Sequence, residues 1–391
     1  MPCASWLTPA LHDDWRQNGF GLYVHWPFCA AKCPYCDFNS HVARTIDHNQ
    51  WLNSYRDEIN RVSALTGPRV LNSIFFGGGT PSLMQPETVA AVIDAARDGW
   101  HFANDIEITL EANPGSVEAG RFAAYRDAGV NRVSMGIQAL NDRDLRALGR
   151  IHSVDEARAA FDIARHCFDR VSFDLIYARQ GQTLADWKAE LTEALSMSID
   201  HLSLYQLTIE DGTAFGDRYR AGKLRDLPTE DTSADMYDLT QEICEAAGMP
   251  RYEVSNHARP GSESRHNLIY WRYGDYAGVG PGAHGRLTLN GQRYATESVS
   301  NPNMWLKEPD TRETLSQLTV EEQAEEMLLM GLRIAEGIPA DRFIQICGKP
   351  LSASGLAQLE DLGLIRQSDR RIRVTDQGFP LLNQVIAKLL D

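Results

Sequence analysis

Cys29, Cys33 and Cys36 lie in the run Tyr23-Val-His-Trp-Pro-Phe-Cys-Ala-Ala-Lys-Cys-Pro-Tyr-Cys-Asp-Phe38. The spacing Cys-x3-Cys-x2-Cys supplies three thiolates. Four thiolates would close a cubane [4Fe–4S] cluster and leave it an electron carrier, whereas three leave one iron open. An open metal position is where chemistry can happen. At this spacing the expected guest is S-adenosylmethionine, whose amino and carboxylate groups can chelate the bare iron. An electron from the cluster then splits the sulfonium and yields a 5′-deoxyadenosyl radical. Zinc is the competing occupant, with Asp37, His41 or Cys3 as a fourth ligand. Structural zinc sites usually pair two short clips, and no second clip is visible. Phe28, Tyr35 and Phe38 are expected to shield a cluster from water.

Other residues gather at corresponding places along the chain. From Gly21 to about Leu207, short apolar strands alternate with amphipathic helices. The expected strands are Gly21–Trp26, Ser73–Phe76, Ile106–Leu110, Arg132–Ile137, Val171–Ile176 and His201–Leu207. The expected helices between them are His48–Leu65, Glu87–Asp98, Val117–Asp127, Asp142–Leu148, Val154–Cys167 and Thr183–Met197. Such alternation means parallel strands with right-handed crossovers. The fold class is therefore α/β, either a partial (βα)6 barrel or a doubly wound sheet, and both place ligands at the carboxyl ends of the strands. The cysteines follow the first expected strand, Gly77-Gly-Gly-Thr-Pro81 the second and Glu111 the third; Gln138 ends the fourth and Asp174 lies on the fifth. Consecutive glycines allow close backbone approach to a ligand. Glu111 can pair with an ammonium or a hydroxyl, Gln138 and Asp174 suit ribose hydroxyls, and Arg150 can clamp a carboxylate. Each also has a plain alternative as a cap or a surface charge. Asp174 is the most telling, because a charge within Val-Ser-Phe-Asp-Leu-Ile is costly unless paired.

With 391 residues the chain can form two or three domains. Its composition, 43% hydrophobic and 23% charged, is that of a soluble globular protein. A net charge of −15 argues against general nucleic-acid binding. Cys167, Cys244 and Cys347 sit in apolar helical patterns and are expected to be free thiols, with Cys3 isolated near the start. Residues 1–15 lack a signal-peptide pattern, so the expected compartment is the cytoplasm. A helix is expected at Glu230–Ala247, then strands and loops over Arg251–Thr296, then a linker at Asn301–Arg312. In the tail, two or three helices precede a hairpin pattern, Leu362-Gly-Leu-Ile-Arg-Gln-Ser-Asp-Arg-Arg-Ile-Arg-Val-Thr-Asp-Gln-Gly378, as in a winged-helix unit. Residues 351–391 balance five Lys/Arg against five Asp/Glu, which favours a packing module over a DNA reader. The division expected is 1–20 as an amino-terminal segment, 21–220 as the barrel, 221–310 as its extension and 311–391 as the winged-helix-like domain.

The order Tyr-x-His-x-Pro-Phe-Cys-x3-Cys-Pro-Tyr-Cys, Gly-Gly-Gly-Thr-Pro, Glu-Ala-Asn-Pro, Gly-Ile-Gln and Asp-Leu-Ile-Tyr resembles the radical S-adenosylmethionine proteins related to oxygen-independent coproporphyrinogen III oxidase, and most of all their haem-chaperone branch. The resemblance implies a partial (βα)6 barrel and a carboxyl-terminal winged-helix-like domain. It implies cofactor contacts at Tyr23, Tyr35, Gly78, Gly79, Thr80, Glu111, Gln138, Arg150 and Asp174. Two departures from the oxidases favour a carrier. They have a cysteine where this chain has Phe38, and an amino-terminal extension where only 28 residues precede Cys29. His266-Asn-Leu-Ile-Tyr-Trp271 matches a motif of the chaperone branch, which implies His266 as a haem-iron ligand. His25, His257 and His284 are also available, and His25 can instead orient the cysteine loop. The family usually reads Tyr-Gly-Leu-Pro-Gly-Gln-Thr where this chain reads Tyr177-Ala-Arg-Gln-Gly-Gln-Thr183, and Gln180 in place of proline is expected to loosen that turn. The implied partners are haem and haem-receiving proteins, with peripheral membrane contact where the recipient is a membrane complex, and a monomer or homodimer as the assembly. The alternatives are radical decarboxylation of porphyrinogen propionates, and a radical enzyme on another substrate.

Overall fold

The computed structural model describes residues 14–115 and 119–390. Cys3, most of the 1–20 segment and Val117 at the start of an expected helix lie outside the described residues.

The six expected strands are present: β1 (Phe20–Trp26), β2 (Val70–Gly78), β3 (His101–Ala112), β4 (Arg132–Gln138), β5 (Arg170–Tyr177) and β6 (His201–Gln206). Each pairs in parallel with the next, in chain order. A doubly wound sheet would reverse its strand order partway; these six do not. Alternate residues along them form an apolar face, and the intervening positions carry buried polar groups such as Ser73, Thr109, Ser134 and Ser172. Phe20, Leu22 and Val24 of β1 are fully buried, as are Ile74 and Phe76 of β2.

The helices follow the sequence pattern. His48–Thr66 starts at Asp47, whose side chain accepts from the Gln50 amide, and buries Trp51, Tyr55, Ile59 and Val62, one stripe at i, i+4, i+8 and i+11. Val154–Cys167 and Leu184–Met197 begin with reciprocal capping boxes, Ser153 with Glu156 and Thr183 with Asp186. Gln180 does not loosen its turn. Its Nε2 donates to the Arg225 carbonyl at 2.6 Å, while the Gly181 amide donates to Asp226 at 2.6 Å.

Five more strands complete an eleven-stranded sheet. β7 (Asn256–Ala258) runs antiparallel to β6. On the other side β8 (Asp275–Val279) lies parallel to β1, followed by antiparallel β9 (His284–Leu289), β10 (Gln292–Ser298) and β11 (Glu313–Gln317). The expected linker at 301–312 is structured. Asn301 caps the helix Pro302–Lys307, and Trp305 is fully buried, its ring stacked 5.5 Å from that of Trp51. A proline count read as punctuation missed one large apolar anchor.

Asp275 ties the added strands to the sheet. It is fully buried and meets Arg69 at 2.5 Å and Arg293 at 2.9 Å, while accepting from the Thr288 amide and hydroxyl. Asp275→Ala would leave two guanidinium groups buried without their carboxylate. We expect a loss of about 3–5 kcal/mol in urea or thermal unfolding.

The tail forms a unit with its own core around Met327, Leu328, Phe343, Ile372 and Val385. The expected hairpin pairs β13 (Ile365–Ser368) with β14 (Arg371–Val374), and β12 (Ile338–Pro339) adds to its far side. Asp369 and Arg370 turn the hairpin at φ 53° and 59°, the left-handed pair that two-residue loops require. Three helices precede it, Val320–Gly331, Ala340–Cys347 and Ala353–Asp361, and Leu382–Leu390 follows.

Candidate functional site

Strand register brings the chemistry together. Trp26 pairs with Gly78, Phe76 with Leu110, Ala112 with Met135 and Gln138 with Leu175, so the carboxyl ends lie along one edge. A cavity there is lined by Cys29, Cys33, Tyr35, Cys36, Gly78, Gly79, Thr80, Glu111, Gln138, Arg150 and Asp174. All the expected cofactor residues except Tyr23 share this one space.

The three thiols sit on the loop that leaves β1, each half-buried. Arg150 Nη1 donates to Cys33 Sγ at 3.4 Å, and Thr80 and Ser40 line the same cavity, the buried Ser40 hydroxyl with no hydrogen-bond partner among the described residues. Burial raises the Cys29 and Cys36 thiols above their ordinary pKa. Forming thiolates there calls for a strong positive centre, such as a metal. Among the described residues, no three His, Cys, Asp or Glu groups converge as a ready metal site. Asp37 and His41, the described candidates for a fourth zinc ligand, are both exposed, and the His41 ring is hydrogen-bonded to Asn39. Tyr35 and Phe38 flank the thiols, but Phe28 packs away from them, edge-on to Trp26 and Trp51.

The glycines serve chain packing first. A Cβ on Gly79 would lie 2.7 Å from the Phe28 carbonyl oxygen, and one on Gly78, at φ +105°, would lie 2.5 Å from the His25 ring. The Gly79 and Thr80 amides donate to Trp26 and Phe28 carbonyls, at 2.7 and 2.8 Å. These two amides therefore clamp the cysteine loop and are not free to grip a ligand.

The opposite wall is polar. Glu111 and Asp174 face one cavity, and burial, with the Asp174 charge as a further cause, pushes Glu111 up to about 8. Burial pushes Asp174 up to about 6, against hydrogen bonds from Ser203 and Ser134. Neither carboxylate has an ion-pair partner within 4 Å among the described residues. Arg150 Nη2 donates to Asn113 Oδ1 at 2.5 Å and the Gly136 carbonyl at 2.8 Å, so part of its fork is already engaged. Gln138 adopts φ 73° at an irregularity between β4 and β5. Its Oε1, and Arg150 Nε, are buried with no hydrogen-bond partner. Such orphans mark a place for a polar ligand.

A second cavity of about 370 Å³ adjoins the first, sharing Phe38, Gly78 and Glu111. Tyr23 belongs here, its hydroxyl 3.0 Å from His25 Nδ1. His25 Nε2 donates to the Asn39 carbonyl at 2.9 Å, so this ring orients the cysteine loop. His266 lies behind the cavity wall, 1% exposed. Its Nδ1 is 2.7 Å from Ser73 Oγ and its Nε2 is 2.7 Å from Tyr270 OH. Stacked 5.0 Å from Phe75, it is pushed down to about 3 by burial and then by Arg132. Both of its ring nitrogens are engaged. His257 is also buried, on β7.

Sequence reasoning missed Asn113, Ser40, Ser134 and Tyr276. Asn113 lies within the quoted Glu-Ala-Asn-Pro motif, whose position just past β3 was the available signal. The others carry no local pattern.

Residues 23–194 match the radical SAM superfamily and residues 318–381 the HemN C-terminal domain. The heme chaperone HemW of Escherichia coli is 36% identical over 380 residues, covering 94% of this chain and 97% of that protein. HemW of Bacillus subtilis is 35% identical over 379 residues, covering 94% and 98%. The mitochondrial radical S-adenosyl methionine domain-containing protein 1 of Danio rerio is 38% identical over 387 residues, covering 94% and 86%. Coproporphyrinogen III oxidase (HemN) of Escherichia coli superposes with a TM-score of 0.78 at 23% identity, over 95% of this chain and 89% of that one, a likeness of fold. With identities of this size over nearly its whole length, the chain belongs to the HemW branch of the radical S-adenosylmethionine superfamily.

Proposed function

We propose that this protein is a haem chaperone, which binds haem and passes it to haem-dependent proteins. Its full-length relatives named heme chaperone support the reading. The structural observation that carries it is Phe38. This residue stands where the related oxidases have a cysteine, is 58% exposed and lines both cavities. A bare phenyl ring beside Tyr23, Tyr270 and Tyr276 suits the flat, apolar face of a porphyrin.

Cys29, Cys33 and Cys36 would hold a [4Fe–4S] cluster, and their shared cavity and raised thiols fit that group. When bound, the cluster supplies an electron to the S-adenosylmethionine sulfonium at its open iron. Glu111, Gln138, Asp174 and Arg150 would orient S-adenosylmethionine, with Tyr35, Gly78, Gly79 and Thr80 shaping the wall and Tyr23 reaching it only from the second cavity. The six parallel strands in chain order support a partial (βα)6 barrel over 21–220, with 221–310 as its extension and 311–391 as a winged-helix-like domain. No described helix is long and apolar enough to cross a membrane, which fits a cytoplasmic carrier that meets membrane-bound recipients peripherally. The net charge of −15 speaks against nucleic acid as a partner, and a monomer or homodimer suffices for carriage.

The other reading is radical decarboxylation of a porphyrinogen. Anaerobically reconstituted protein with coproporphyrinogen III, a reductant and S-adenosylmethionine should yield no protoporphyrinogen, followed by chromatography. Turnover at a rate matching S-adenosylmethionine consumption would defeat the carrier-only reading.

A further inference from the structure

We propose that Tyr270 gates haem ligation: its hydroxyl covers Nε2 of His266 while Ser73 holds Nδ1, and iron takes Nε2 once the phenol turns out into the second cavity. This inference rests on the haem-carrier reading, with His266 as the iron ligand that the His-Asn-x-x-Tyr-Trp motif implies. It names the two positioning residues that ready that ligand.

The imidazole has everything an iron ligand needs except access. Its plane is fixed, stacked 5.0 Å from the Phe75 ring at an interplanar angle of 20°. Nδ1 meets Ser73 Oγ of β2 at 2.7 Å. A Cβ on Gly21, opposite Ser73 on β1, would lie 3.0 Å from that oxygen and 3.2 Å from Nδ1, so the glycine leaves room for the pair. A metal-bound histidine commonly spends its other nitrogen in this way, which fixes the tautomer and the aim of the ring. With Nδ1–H donating to Ser73, the lone pair of Nε2 is the one offered to iron. The Tyr270 hydroxyl, 2.7 Å away, donates to that same lone pair. An iron at bonding distance would overlap the phenol oxygen, so the hydroxyl must leave first. The exchange breaks one hydrogen bond, forms one iron–nitrogen bond and moves no proton.

The side chain, and not the helix, is the part that can turn. At the start of the helix Arg265–Trp271, Glu107 accepts from the His266 amide at 3.3 Å and from the Ser264 hydroxyl at 3.4 Å. Past its end, Arg342 donates to the Arg272 and Tyr273 carbonyls at 2.5 and 2.7 Å. Lifting the helix would break these bonds to charged groups, each worth more than a neutral pair. Turning Tyr270 breaks one neutral bond. Its ring is half-buried, lines the second cavity and has Tyr276 edge-on at 4.3 Å, whereas His266 is sealed behind it at 1% exposure.

The test uses the full chain of wild type, Tyr270→Phe, Ser73→Ala and His266→Ala. It reads haem association by stopped flow, affinity from the Soret band and the iron–imidazole stretch by resonance Raman spectroscopy. Tyr270→Phe removes one oxygen and keeps the packing. It should take up haem about two- to tenfold faster, the net worth of one hydrogen bond, with the wild-type Soret band. Ser73→Ala should bind about ten- to a hundredfold more weakly and lower the iron–imidazole frequency, because a ring without its Nδ1 acceptor is a weaker donor. A Tyr270→Phe protein that takes up haem no faster, or a Ser73→Ala protein with an unmoved frequency, would overturn the proposal and leave the carrier reading standing. Tyr270→Phe decides the gate whether or not Ser73→Ala folds. A His266→Ala protein with the wild-type spectrum and affinity would remove the ligand on which the gate depends. Absence of haem binding by wild type would remove the carrier reading as well.

Discussion

Cys33→Ala is expected to abolish iron and sulfide retention after anaerobic reconstitution, and Cys29→Ala and Cys36→Ala to do the same. Three thiolates are the smallest set that still grips a cubane cluster at three corners, and the cavity presents no further cysteine among its lining residues. Two remaining sulfurs would leave two irons to solvent. The fold should survive, because the three side chains are half-buried and packed at the edge of the core. Circular dichroism and unfolding midpoints of the apo proteins should match wild type. The distant thiols act as controls. Cys244 and Cys347 are buried in apolar surroundings that raise their thiols, to about 12 and about 11, so they are poor metal ligands. Cys244→Ala and Cys347→Ala should bind full iron even where they lose stability by cavity formation. Undiminished iron in Cys33→Ala would show that the cluster is held elsewhere.

Glu111→Gln should make the apo protein more stable at alkaline pH and S-adenosylmethionine binding weaker, a trade of stability for function. The sign follows from the raised carboxyl. Burial favours the neutral form in the folded chain, so the stabilising contribution of Glu111 is complete below about 4.5 and is lost as pH rises through about 8. Asp174 behaves likewise between 3.8 and about 6. Above pH 8 the folded apo protein therefore holds two like charges in one cavity, which Arg132 and Arg150 offset only in part. Removing one by Glu111→Gln should raise apo stability at pH 9 by roughly 1–3 kcal/mol, a range discounted because Glu111 is only half-buried. The benefit should fade at pH 5, where wild-type Glu111 is already protonated. A bound ligand that donates to the carboxylate reverses the preference. Losing a hydrogen bond to a charged group costs about 1.5–3 kcal/mol, so calorimetry on the reconstituted variant should show S-adenosylmethionine affinity falling by about ten- to a hundredfold. A variant that binds as wild type does would take Glu111 out of the cofactor site.

The alternation of strands and helices was legible because both elements here are long and apolar on the sheet side, and Trp51, Tyr55, Ile59 and Val62 repeat at helical spacing. Convergence of the cysteines, Thr80, Glu111, Gln138, Arg150 and Asp174 was legible for a topological reason. Parallel strands in chain order put every strand end on one edge, whatever the side-chain detail. Hydrogen bonding was not legible. Nothing local in Gly77-Gly-Gly-Thr-Pro81 says that the Gly79 and Thr80 amides are taken up by the cysteine loop. Nor does His266-Asn-Leu-Ile-Tyr-Trp271 say that its histidine faces Ser73, 193 residues earlier. The Asn301–Arg312 segment failed for a related cause. Its prolines open short helices, at Pro302–Lys307 and Pro309–Thr311, while Trp305 finds its partner Trp51 across the sequence.

The proposed cluster would present one iron that the polypeptide leaves open. The most direct measurement is the paramagnetic resonance spectrum of the reduced, anaerobically purified protein, with metal and sulfide counted per chain, before and after S-adenosylmethionine. About four irons and four sulfides with a spectrum altered by S-adenosylmethionine are predicted. Stoichiometric zinc without iron, or a cluster spectrum indifferent to S-adenosylmethionine, would contradict it.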